Sequence, residues 1–181
     1  MNESYSRDLT APGQQRAIRD LLQSLFVAEL LQPSRPLWLL SAWISDIEVL
    51  DNSAYQFAAL CPDWPANRIP LSSVLRTLVA RGGEVIVILR DVTHNQLFAQ
   101  KLRDIAAAYP DRLRWRLAPD LHEKGIVGDD FMIHGSMNLT HSGITMNDEH
   151  VVYRTESAAV AERRLQLTER WKGLLQSSDS G

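Results

Sequence analysis

Apolar residues recur at helical spacing between Gln14 and Leu31, where Ile18, Leu21, Leu22, Leu25 and Leu30 fall on one side of a 3.6-residue repeat. The pattern predicts an amphipathic helix that begins after the Pro12-Gly13 turn and stops at the breaker between Pro33 and Pro36. The run "PLWLLSAWIS" that follows is continuously apolar and too short for an ordinary helix, which fits a strand buried on both faces. From Asp46 to Pro70 no period is visible, and Asp51-Asn52 with several prolines predicts a long loop holding at most one short element.

Regular alternation then returns. "LSSVLRTLVARGG" reads as a helix closed by Gly82, and "EVIVILR" as a second buried strand. A strand, a helix and a strand in that order imply a parallel pair with a crossover. A further helix from about His94 to Ala108 leads through Tyr109-Pro110-Asp111 to "RLRWRLA", in which Arg alternates with apolar residues as in a half-exposed strand. "HEKGIVG", "FMIHGS" and "EHVVYRT" predict three short strands. A final helix from about Glu156 to Leu175 turns Val160, Leu167, Trp171 and Leu174 inward, and "SSDSG" reads as a frayed end.

These elements fit one domain of 181 residues, with the N-terminal helix at 14–31, a core at 36–154 and the C-terminal helix at 156–175. The composition, 45% hydrophobic and 23% charged, is that of a folded globular chain and argues against disorder or a fibre. No apolar run reaches the roughly 18 residues that span a bilayer, and "MNESYSRDLTAPGQQ" lacks the layout of a signal peptide, so a cytoplasmic protein without membrane attachment is expected. The single cysteine, Cys61, excludes an intrachain disulfide and reads as a structural thiol. A net charge of −3 counts against a surface that grips nucleic acid everywhere, while leaving room for a local basic groove.

The stretch "HEKGIVGDDFMIHGSMN" holds one of only three lysines, two residues after a histidine. In a strand His122 and Lys124 project to one face and Glu123 to the other, and Ser136 and Asn138 share the same spacing. If the flanking strands form a hairpin around Asp129-Asp130, these four side chains converge at one edge of the sheet, with Glu149 arriving from the next strand. Such a set supplies a nucleophile, a fixed cation, two neutral hydrogen-bonding groups and a carboxylate. Phosphodiester chemistry uses all of them: Lys124, Ser136 and Asn138 meet the non-bridging oxygens, and an imidazole can attack if an acceptor such as Glu149 holds its other nitrogen's proton.

His122, Lys124 and Asp129 in the order His-x-Lys-x4-Asp, followed by Gly135-Ser136-x-Asn138 and by Glu149, resemble the signature of the phospholipase D superfamily. The interval from Asp129 to Gly135 is about one residue shorter than the family spacing, which implies a tighter hairpin. The resemblance implies an α/β fold, an α-β-α sandwich with a mixed central sheet flanked by helices. It also implies a two-step reaction without metal or cofactor, in which a phosphohistidine forms and is hydrolysed. Catalytic roles fall to His122, Lys124, Asn138 and Glu149, phosphate binding to Lys124, Ser136 and Asn138, and structural roles to Asp129 and Gly135. Two motifs build one site in that family and this chain has one, so a homodimer with a composite site is implied.

The superfamily includes lipid enzymes and nucleases. A short chain with one motif resembles its small bacterial nuclease-like members. "SAWISDIEVLDN" together with the motif resembles the phospholipase D-like proteins that accompany bacterial deazaguanine DNA-modification and phage-restriction cassettes. That resemblance points to DNA, and to other proteins of a modification or restriction complex as possible partners; a phospholipid phosphodiesterase or transferase and a non-hydrolysing nucleic-acid-binding component are the alternatives.

Outside the motif, His94, His134, His141 and His150 read as surface or hydrogen-bonded residues, and no ligand spacing marks a metal site. Asp46 and Asn52 could line a pocket or serve caps and turns. Trp43, Tyr55 and Trp64 could stack on bases or pack. Arg112, Arg114 and Arg116 could meet phosphates or decorate an edge strand.

Overall fold

The computed structural model describes residues 6–10, 15–145 and 149–176. Its strands are β1 (Ser6–Thr10), β2 (Leu37–Ser41), β3 (Glu48–Asp51), β4 (Arg68–Pro70), β5 (Val85–Arg90), β6 (Leu113–Ala118), β7 (Gly125–Val127), β8 (Met132–Gly135) and β9 (His150–Arg154). Its helices are α1 (Gln15–Leu31), α2 (Leu71–Ala80), α3 (Gln96–Ala108), α4 (His141–Thr145), α5 (Ser157–Arg170) and α6 (Lys172–Gln176).

The central sheet has seven strands in the order β1-β9-β8-β7-β2-β5-β6. β2, β5 and β6 run parallel, while β7, β8, β9 and β1 continue the sheet in antiparallel pairs. The two unbroken apolar runs, β2 and β5, are interior strands with both faces covered. Leu37 and Leu39 of β2, with Val85, Val87 and Leu89 of β5, face α1, α2 and α3, which contribute Phe26, Leu75 and Phe98. Trp38, Leu40, Ile86 and Ile88 face the other way, onto Val160 and Leu167 of α5. The result is an α-β-α sandwich with a mixed sheet, as the motif's resemblance implies.

Four expectations are corrected. β1 lies in a stretch whose pattern predicts no element; it pairs with β9 through its backbone and buries Leu9. The 46–70 loop carries two strands, with β3 and β4 pairing antiparallel around buried Val49, Leu50 and Ile69. His122 and Lys124 precede a strand instead of lying in one, because β7 has sheet partners only from Gly125 onward, in Leu40 and His134. The C-terminal helix is two helices meeting at Trp171. Residues 14 and 177–181, and with them the first predicted helical position and the predicted frayed end, lie outside the described residues.

Two candidate pocket residues are structural. Asp46 accepts hydrogen bonds from the Ser72 backbone N–H at 2.8 Å and its hydroxyl at 2.7 Å, and pairs with Lys101 at 3.2 Å. It thereby caps α2, whose preceding residue, Pro70, offers no side-chain cap. Asn52 is fully buried, donating to the Pro65 carbonyl at 2.8 Å and accepting from the Phe57 N–H at 3.0 Å. At the other end of α2, Gly82 takes φ +98°, the left-handed geometry that closes a helix at low cost for glycine alone.

Candidate phosphodiester site

Strand direction gathers the motif. β2 pairs antiparallel with β7 so that Leu40 faces Gly125, Gly125 faces His134 on β8, and Gly135 faces Val151 on β9. The C-terminal end of β2, the N-terminal end of β7, the C-terminal end of β8 and the N-terminal end of β9 therefore lie side by side. This is the carboxyl edge of the parallel strands, where open α/β sheets place their ligands. His122 and Lys124 lead into β7, Ser136 and Asn138 leave β8, and Glu149 precedes β9. Since neighbouring strands are about 4.8 Å apart, the three segments span about 10 Å.

Each segment is held by identifiable contacts. Lys124 Nζ donates to the His122 carbonyl at 2.8 Å, which keeps the cation beside the imidazole's own residue. Ser136 Oγ donates to Glu149 Oε2 at 2.5 Å and accepts from the His150 N–H at 3.0 Å, while the Ser136 N–H donates to the His150 carbonyl at 2.9 Å. Glu149 is buried. The preceding residue must be glycine: Gly135 has φ +149°, and a Cβ there would collide with the His150 carbonyl oxygen.

Asn138 Oδ1 accepts the Trp43 N–H at 3.1 Å, so its amide nitrogen is left to donate. The acceptor segment is itself fixed. Ser41 Oγ donates to the Trp43 carbonyl at 2.6 Å and accepts from the Leu139 N–H at 3.2 Å, and the Ser45 N–H donates to the Leu139 carbonyl at 2.8 Å. Beneath it, fully buried Asn95 accepts from the Ile44 N–H at 2.8 Å and donates to the Ala42 and Arg90 carbonyls at 2.9 and 2.8 Å. Sequence reasoning missed Ser41 and Asn95, since a serine ending a strand and an asparagine before a helix look like ordinary boundary residues. Trp43 is 42% exposed under the Arg90 guanidinium, whereas Trp64 packs in the core.

Asp129 sits at the opposite end of β7, in the turn where the Gly128 N–H donates to the Phe131 carbonyl at 2.9 Å. It pairs with Arg164 at 2.8 Å, accepts from the Arg35 N–H, and donates its own N–H to Ser34 Oγ at 2.8 Å. Ser34 in turn donates to buried Glu29, whose carboxyl is pushed above the ordinary range chiefly by burial. Burial also raises the Cys61 thiol, as suits a packing residue. Of the other histidines, His94 meets Ser45 Oγ at 3.1 Å through Nε2, and His134 is half-buried on β8. Arg112, Arg114 and Arg116 lie on or just before β6, the edge strand beyond β5. Among the described residues no three His, Cys, Asp or Glu side chains are grouped to hold a metal ion.

Residues 47–171 match the family model described as "Cardiolipin synthase, PLD-like domain". Among solved structures, NucT from Helicobacter pylori superposes with a TM-score of 0.60 at 15% identity, over 97% of this chain and 98% of that one. Nuc from Salmonella typhimurium, a phospholipase D family member, gives 0.63 at 15% identity over 94% and 95%. Phosphatidylserine synthase from Haemophilus influenzae Rd KW20 gives 0.63 at 12% identity, over 94% of this chain and 39% of its own. No curated protein matches the sequence.

Proposed function

The chain belongs to the phospholipase D-like family, and from that membership we propose a metal-independent phosphodiesterase that cleaves DNA through a phosphohistidine at His122. The observation that carries this reading is the delivery of His122, Lys124, Ser136, Asn138 and Glu149 to one edge of the sheet from three adjacent strand ends.

One imidazole nitrogen of His122 attacks phosphorus, and the bond to the leaving oxygen breaks. His122 of the partner subunit, protonated at that moment, gives its proton to the leaving alkoxide. Water then attacks the phosphohistidine, losing a proton to the same imidazole as the phosphorus–nitrogen bond breaks. Lys124 and the Asn138 amide nitrogen stabilise the charge on the non-bridging oxygens. Ser136 and Glu149 form one hydrogen-bonded unit behind them. The homodimer brings two copies of His122 to one phosphate, one as nucleophile and one as proton donor.

The chain corresponds to NucT and Nuc along nearly their whole length, against 39% of the phosphatidylserine synthase, which favours the nuclease-like reading over the lipid one. A role in a bacterial DNA-modification or phage-defence system follows the resemblance of the 41–52 and 121–144 segments. The test is cleavage of single-stranded and duplex DNA in EDTA, with phospholipid vesicles in parallel. Wild type is expected to cut DNA and His122→Ala to be inert; turnover of vesicles alone would transfer the reaction to lipids.

A further inference from the structure

Resting on that reading, we propose that the cleft between β7, β8 and α5 is a second phosphate subsite, which holds the phosphate adjoining the scissile one in a polynucleotide. The cleft encloses about 520 Å3. His122 and Lys124 line one part of it, and His134, Arg154, Glu162 and Arg163 line another, so it opens from the candidate catalytic residues into territory the motif does not include.

The register explains why cations collect there. Met132 faces Arg154 and His134 faces Val152 across β8 and β9, so Met132, His134 and Arg154 share the sheet face that packs on α5, from which Arg163 projects into the same cleft. Among the described residues, the buried Nε of Arg154 finds no acceptor. A guanidinium that the protein leaves partly unsatisfied keeps donor capacity for an anion that reaches it. His134 carries the same signature: burial first, then Arg154, Arg163 and His150, disfavour its protonated form, with Asp8 opposing. Of the nearby carboxylates, Glu123 pairs with Arg163 at 3.2 Å and Arg170 at 2.9 Å, Glu162 lines the cleft, and Asp8 opposes the cations around His134.

A polynucleotide presents a second phosphate at a fixed chain distance from the first. Seating both would fix which bond lies over His122 and strengthen binding without touching the chemical step.

Two measurements decide the matter. In the first, inorganic phosphate is titrated into the protein while the imidazole resonances are followed by NMR, with His134→Gln for assignment. Phosphate is expected to move the His134 titration to higher pH in wild type and not in Arg154→Met, or in Arg154→Gln if the methionine variant does not fold. No movement in wild type, or equal movement in the variants, overturns the subsite. Because this arm needs no turnover, it stands even if the protein hydrolyses nothing. In the second, Arg154→Met is expected to raise KM for an oligonucleotide about tenfold with kcat unchanged, and to leave hydrolysis of bis(p-nitrophenyl) phosphate, which has one phosphorus, as in wild type. Equal losses on both substrates contradict the proposal. Arg154-dependent binding to cardiolipin vesicles, with no effect on oligonucleotides, would contradict the assignment to a polynucleotide.

Discussion

Asp129 and Arg164 meet at 2.8 Å at the end of β7 opposite to His122, so the motif His-x-Lys-x4-Asp spans a strand from end to end. Five residue steps from Lys124 to Asp129 cover about 17 Å of extended chain. The spacing is thus a strand length, and it sets the two halves of the motif at opposite ends of β7. The Arg164 guanidinium also donates to the carbonyls of Arg35, Pro36 and Gly128, tying α5 to the β7–β8 turn and to the chain entering β2. Asp129→Asn is therefore expected to lower stability by about 1 kcal/mol, and Arg164→Met by about 2 kcal/mol, since hydrogen bonds to charged groups exceed neutral ones. Both should keep kcat within about twofold, and denaturant melts beside steady-state kinetics check the split. A thousandfold fall in kcat for folded Asp129→Asn would place Asp129 in the chemistry instead.

Ser136 and Glu149 act as one unit. Ser136→Ala removes the donor to a buried carboxylate, and Glu149→Gln removes the charge it serves. Each is expected to lower kcat by roughly 10- to 100-fold, and the double variant by little more than the worse single, because both break the same contact. Additive losses in a double-mutant cycle would separate their roles.

His134 sets a pH dependence of stability. Burial and the neighbouring Arg154 and Arg163 favour its neutral form in the folded protein, below the ordinary 6.5. Between that lowered value and 6.5 the unfolded chain binds more protons, so stability present above pH 6.5 is lost as pH falls through this window. Tm measured from pH 7.5 downward is expected to fall less steeply for His134→Gln than for wild type. Parallel curves would show that other groups carry the acid sensitivity.

Asn95 fixes the segment that positions Asn138. Asn95→Leu leaves the Ile44 N–H and the Ala42 and Arg90 carbonyls without their partner, which costs about 3 kcal/mol at a buried site. Because Trp43 leaves that segment to bond Asn138, activity should fall in the folded variant as well, seen as a lower kcat at a temperature well below its Tm. Wild-type kcat in a destabilised variant would confine Asn95 to folding.

The layered core was legible because β2 and β5 are unbroken apolar runs and the helices beside them keep a 3.6-residue period. β1 was hidden since Ser6, Arg7 and Asp8 are exposed beside buried Leu9, and its place depends on backbone bonds to a strand about 140 residues later. The motif residues could be named from type and spacing, and a hairpin around Asp129-Asp130 predicts that they meet at one sheet edge, but the long-range partners that complete that edge are not visible in the sequence. Which strand end meets which is fixed by the antiparallel register of β7, β8 and β9, and Asn95 reaches Ile44 across 51 positions of sequence. Aromatic residues divided in the same way: Trp64 and Trp43 look alike in sequence, yet one fills the core and the other stands exposed beside Asn138.

The most direct measurement is trapping of the covalent intermediate. A DNA substrate is mixed with the enzyme in EDTA, quenched in alkali within the first turnover, and the digest mapped by mass spectrometry. A nucleotidyl or phosphoryl adduct is expected on His122, absent from His122→Ala and from an unreacted control. DNA cleavage that leaves His122 unmodified at every quench time, or an adduct on another residue, would contradict it.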